Sequence, residues 1–167
     1  MRSIALGLTA TVLLAGCSGE TEEKPVEKKA EALKPGEYEI ASKVDAVRVT
    51  DNSGSPATKS KVGDVGQPVR TCIAADGAID PKVFVAAGET CTPASAYLRN
   101  GRMSLQYQCT QPDGQVTQMV DGQFKEESFE ARVITSTFLS GAGDYEMTRS
   151  FTGKRVGDCP AGTAAKG

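Results

Sequence analysis

Residues 98–124 read LRNGRMSLQYQCTQPDGQVTQMVDGQF, and this stretch decides the fold. Met103, Leu105, Tyr107 and Cys109 alternate with Arg102, Ser104, Gln106 and Gln108, which is the period of a half-buried strand. Asn100-Gly101 in front of it is the strongest short hairpin signal, and Asp113-Gly114 behind it is nearly as strong. A two-residue turn at Asn100-Gly101 sets Arg99 against Arg102, Leu98 against Met103, Ala96 against Leu105 and Ala94 against Tyr107. One at Asp113-Gly114 sets Met103 against Phe124, Leu105 against Gly122, Tyr107 against Val120 and Cys109 against Gln118. Both registers gather the apolar residues on one face. Arg102, Ser104, Gln106, Gln108, Thr117 and Asp121 are left on the other as a solvated surface.

The same alternation continues in both directions. Downstream, a turn near Glu126-Glu127 leads into a strand from Phe129 to Phe138, and Gly141-Ala142-Gly143 turns the chain into Tyr145, Met147 and Phe151, which alternate with Glu146, Thr148 and Ser150. Upstream, a first strand is expected over 37–49, a long exposed loop over 50–66 and a second strand over 68–74. Asp80-Pro81 opens a short helix to about Ala87, with Asp80 as N-cap and proline in the first helical position. The expected fold is mainly β, a curled antiparallel meander of about seven strands forming a partial barrel or sandwich, with one short helix, in a single domain over 36–160. Its core is thin, since only about one residue in five of that body is Leu, Ile, Val or Phe, near the level at which disorder becomes a concern.

Disulfides offset a thin core. Cys72, Cys91, Cys109 and Cys159 lack any C-x-x-C spacing, and in an exported chain they read as two disulfides rather than a zinc or redox site. Of the three pairings, Cys91 with Cys109 is favoured because the first hairpin brings them close. Strict register places Thr92 opposite Cys109, so this pairing needs a bulge at Pro93. Cys72 with Cys159 then staples the last strand to the second. In the chain-entropy model these loops contribute about 3 and about 4.5 kcal/mol.

Export is written at the N-terminus. MRSIALGLTATVLLAG has one positive charge, an apolar run of about 12 residues that is short of the roughly 20 a bilayer-spanning helix needs, and small residues before Cys17. Leu13-Leu14-Ala15-Gly16-Cys17 resembles the bacterial lipobox, which implies cleavage between Gly16 and Cys17 and lipidation of the Cys17 thiol. Several acyl chains on one residue make such anchoring effectively permanent. By resemblance to lipoprotein sorting in Gram-negative bacteria, Ser18, rather than Asp, implies the periplasmic face of the outer membrane over the inner one. Residues 17–35 mix Glu and Lys with almost nothing to bury, and read as a charged flexible tether with a mean reach of about 23 Å and a transient helix over 26–33. Residues 161–167 read as a disordered tail.

Ser128-Phe129-Glu130, the Cys91 to Cys109 spacing and above all Thr152-Gly153-Lys154-Arg155-Val156-Gly157-Asp158-Cys159 resemble the proteobacterial family catalogued as domain of unknown function 3617. The resemblance covers about Lys34 to Pro160. It implies export, often as a lipoprotein, and brings no activity, ligand or catalytic residue with it.

Composition narrows the chemistry further. The 167 residues contain no His and no Trp, and 19 Lys plus Arg stand against 21 Asp plus Glu for a formal charge of -2. The missing histidine removes the commonest general base and metal ligand, and with them every Ser-His or Cys-His nucleophile. The absence of a basic block speaks against a nucleic-acid surface. Catalytic residues, metals and cofactors are therefore not expected. A carboxylate-dependent hydrolase built from Asp144, Glu146, Glu126 or Glu127 is a remote alternative, because these read as turn and strand-end charges.

The expected role is a non-catalytic binding or scaffolding module of the cell envelope, monomeric, held to the membrane through Cys17 and able to touch another envelope protein. The alternative is a carrier or sensor of a small apolar or lipid-like ligand. Met103, Leu105, Tyr107, Val120, Phe124, Tyr145, Met147 and Phe151 line the concave side, where they either fill the interior or face such a ligand. Arg149 shares their parity, and its guanidinium needs a partner there, which is an anionic head group or a carboxylate or carbonyl of the protein.

Overall fold

The alternation becomes seven strands: β1 (Gly36–Val49), β2 (Val69–Ile73), β3 (Thr90–Arg99), β4 (Arg102–Gln111), β5 (Gly114–Lys125), β6 (Ser128–Leu139) and β7 (Tyr145–Gly157). The structure, a computed structural model, describes residues 32–75, 77, 79–85 and 88–161. The expected signal segment 1–16 with Gly16, the expected lipidation site Cys17, the expected tether up to residue 31 and the tail from residue 162 lie outside the described residues. One antiparallel sheet in the order β2-β1-β7-β6-β5-β4-β3 curls into a half-barrel.

The meander proper runs from β3 to β7, and the β1–β2 pair attaches beyond the last strand rather than before β3. This leaves β2 and β3 on opposite edges although they are consecutive in sequence. The chain between β2 and β3 joins these two edges, and its described residues Ile79 and Phe84 lie in the core on the concave face, supplying the cover that a single short helix could not. Ile79 and Phe84 are buried against the sheet, with the Phe84 ring edge-on to Phe151 at 5.3 Å and to Phe129 at 6.5 Å between centroids. The helix expected to about Ala87 is a single 3-10 turn, Pro81–Val83; Asp80 caps it through the Lys82 N–H at 2.9 Å. Ala86 and Ala87 lie outside the described residues.

The first hairpin forms as its turn dictates. Asn100 and Gly101 have φ of 54° and 70°, the left-handed pair a type I′ turn requires, and Leu98 faces Met103 and Ala96 faces Leu105. A bulge between Pro93 and Ser95 then shifts the register, so that Pro93 rather than Ala94 faces Tyr107, and Cys91 comes directly opposite Cys109 with their Cα atoms 4.0 Å apart.

The second hairpin corrects the expected register. Gln111 pairs with Gly114, so Pro112 and Asp113 make the turn, and each β4 residue faces a β5 residue two positions earlier than Asp113-Gly114 would give. Met103 faces Gly122, Leu105 faces Val120, Tyr107 faces Gln118 and Cys109 faces Val116. Pro112 explains the shift: it has no N–H for the ladder, and its fixed φ suits the first corner of a turn. A shift of two preserves every side chain's face.

One further boundary differs from the expectation. The folded body begins before residue 36, because Leu33 is buried in the core and Lys34 N–H donates to Glu126 O at 2.7 Å, with Tyr38 Oη donating to Lys34 O at 2.8 Å. The Cys72–Cys159 disulfide forms as expected, stapling the chain just past β7 to β2 although the two strands are not neighbours. β1 lies between β2 and β7, and Glu37 has both Cys72 and Gly157 as partners, so Cys159 reaches past the start of β1 to close on β2.

Candidate functional site

Every residue expected on the concave side lies there. Met103, Leu105, Tyr107, Val120, Phe124 and Phe151 belong to the buried core cluster, Met147 is buried beside it, and Tyr145 and Arg149 are half-buried. Much of the expected ligand face therefore works as packed interior under Ile79 and Phe84. Desolvation, assisted by the charge of Asp80, pushes the Tyr107 phenol up to about 12.

Toward the β7 start the interior changes character. Gln118 and Thr135 are 0% and 3% exposed, and they face each other across β5 and β6. Thr135 in turn faces Met147 on β7, which places Arg149 one diagonal step away beside Val133. The Arg149 guanidinium donates through Nη2 to the Phe84 carbonyl and stands 5.1 Å from the Phe151 ring centre. The protein thus supplies the partner itself, through the carbonyl of the crossing segment. Burial lowers the Arg149 pKa, and the charge of Glu89 works against that shift. Glu89 also accepts from Gln118 Nε2 at 2.9 Å. The Tyr145 phenol sits in the same field, raised first by burial, with Thr58 and Arg149 pulling it down and Glu89 pushing it up.

Three side-chain atoms of this belt are buried without a hydrogen-bond partner: Gln118 Oε1, Thr135 Oγ1 and Arg149 Nε. Buried polar groups are nearly always satisfied, so each orphan calls for an explanation. Sequence reading singled out Arg149 but missed Gln118, Thr135 and Glu89. Parity held the signal for the first two, since Gln118 lies between Val116 and Val120, and Thr135 two residues after Val133. Glu89 gave none, because its position depends on where the crossing segment lands.

The carboxylates considered for hydrolysis are dispersed in structural contacts. Glu127 pairs with Lys34 at 2.8 Å, Glu146 with Arg48 at 2.9 Å, and Asp144 accepts from Leu139 N–H at 2.7 Å. Glu126 sits in the β5–β6 turn beside Glu127, and its backbone carbonyl accepts from Lys34 and Tyr38. Glu89, Cys91 and Cys109 cluster closely enough to suggest a metal site, but both sulfurs are joined in the disulfide and offer no thiolate. Among the described residues no helix is long and apolar enough to cross a membrane. The 50–66 loop docks on the turn before β7 through Ala57 N–H to Gly143 O at 2.8 Å, and it leaves Val62 and Val65 65% and 71% exposed.

Comparison with protein families gives a match over most of the chain. The family model described as protein of unknown function (DUF3617) covers residues 33–159, starting at the buried Leu33 and ending at the disulfide-bonded Cys159. No curated protein and no solved structure matches.

Proposed function

We propose that the chain, which belongs to the DUF3617 family of proteins of unknown function, is a lipid-anchored periplasmic module that binds rather than catalyses, taking a small amphipathic ligand on its concave face. The observation carrying this reading is the belt of unpartnered polar atoms on Gln118, Thr135 and Arg149 inside an otherwise apolar interior. A sheet that needed only a filled core would be more stable with apolar side chains there, since a buried unsatisfied group costs about 1–3 kcal/mol. Stability is given up in this way where a site needs polar groups held ready. The apolar residues around the belt would carry the body of the ligand, and the belt its head.

Two disulfides support an oxidising compartment, and the Leu-Ala-Gly-Cys17 sequence supports an acyl anchor, at the periplasmic face of the outer membrane by the Ser18 argument. Native mass spectrometry of the full chain extracted from its own membrane is expected to show a noncovalent small-molecule adduct beyond the acyl mass on Cys17. A mass accounted for by chain and acyl groups alone overturns the binding reading. Cys17→Ser is expected to release the protein from membranes, and a variant that stays membrane-bound overturns the anchor.

A further inference from the structure

The three orphan atoms specify the chemistry of what would satisfy them. Glu89 accepts from Gln118 Nε2, which fixes the amide with Oε1 turned away as an open acceptor. Arg149 spends Nη2 on the Phe84 carbonyl, and its Nε–H remains an open donor. The Thr135 hydroxyl can do either. Thr135 is the middle one of the three, cross-strand to Gln118 at about 5 Å and diagonal to Arg149 at about 7–8 Å, so a small group over Thr135 lies between the other two side chains. The charges acting here are the Arg149 guanidinium, the Glu89 carboxylate and, at Tyr145, the Asp113 carboxylate, with the Tyr145 phenol neutral beside them. An anionic head would gain Arg149 but stand against Glu89 and offer Gln118 Oε1 no hydrogen. A cationic head meets the reverse difficulty at Arg149.

Building on the concave-face binding reading, we infer that this belt selects an uncharged head group carrying both a hydrogen-bond donor and an acceptor, an alcohol or a primary amide, on an apolar tail. An anionic head group, one of the candidate partners of Arg149, is disfavoured because Glu89 already balances it.

Titration of the purified full chain with octan-1-ol, octanamide, octanoate and octylammonium at neutral pH, followed through the Gln118 side-chain amide resonances, tests this. The alcohol and the amide are expected to saturate and to bind about tenfold or more tightly than either ion. Glu89→Gln should bring octanoate to within about threefold of octan-1-ol, by removing the repulsion. Thr135→Val keeps the volume, breaks no bond within the protein, and should weaken the alcohol about threefold or more. Octanoate binding as well as octan-1-ol overturns the neutral-head inference while leaving the concave-face reading intact. Saturation that leaves the Gln118 amide unmoved overturns the placement of the head. No saturable binding by any of the four overturns both readings, and the three atoms are then served by ordered water.

Discussion

Gly153 has no side chain because the Phe129 ring occupies the space: the two are cross-strand partners on β7 and β6, and a Cβ at 153 would overlap the ring. Phe129 is buried there and also packs against Tyr38 and Phe84 at 6.5 Å, so it has little room to yield. Gly153→Ala is expected to cost about 1–3 kcal/mol by overpacking, read as a lower urea midpoint at unchanged slope. Gly153 lies within the Gly-Lys-Arg-Val-Gly stretch that carried the family resemblance, and the ring gives that glycine a packing reason. At the same scale, parity was enough to place Arg149 inside, and would have been enough for Gln118 and Thr135. Which of their atoms lack a partner was not legible, because that depends on Glu89 and Phe84 arriving from a segment with no period of its own.

Turn chemistry explains both the success and the failure of register at the element scale. Asn100-Gly101 offers two residues suited to positive φ and fixed the first hairpin; in Pro112-Asp113-Gly114 the proline took the corner and moved the turn by one residue. The faces survived because the shift in pairing was two. The crossing segment over 74–89 is the element the sequence disclosed least, since its short apolar points, Ile79 and Phe84, show no strand or helix repeat. It matters most for the interior. Phe84 is fully buried on Phe129 and Phe151 and presents its carbonyl to Arg149. Phe84→Ala is expected to cost about 3–5 kcal/mol, measured by chemical denaturation. A loss below about 1 kcal/mol would show that the segment does not cover the sheet.

For the whole molecule, the lack of histidine predicts a flat stability profile through neutrality, because no side chain titrates there unperturbed. The limbs follow from the shifted groups. Asp51 is held well below the usual carboxylate range by hydrogen bonds from Ser53, Gly143 N–H and Asp144 N–H, Glu127 is lowered by Lys34, and Glu146 by Arg48. Their native forms bind protons less readily than the unfolded chain, so this stability is fully present above the ordinary carboxylate pKa and is lost as pH falls below it through the lowered native values. The Tyr107 phenol is raised to about 12, so its contribution is present below about pH 10 and is lost as pH rises toward 12. The melting temperature is expected to be level between about pH 5 and pH 9 and to fall on both sides, with Asp51→Asn flattening the acid limb. A transition near pH 6.5 would contradict this.

Alternation, turn residues and cysteine count act between near neighbours in the chain, and by themselves they determined a mainly β sheet, its first hairpin, a preference for the Cys91–Cys109 pairing and the inward face. The attachment of β1 to β7, the crossing cover and the meeting of Glu89 with Gln118 and Arg149 join residues far apart in sequence, and no local period encodes them. Only the packed sheet decided those, because the strand order puts β2 and β3 on opposite edges and the chain joining them lays Phe84 and Glu89 against β7 and β5.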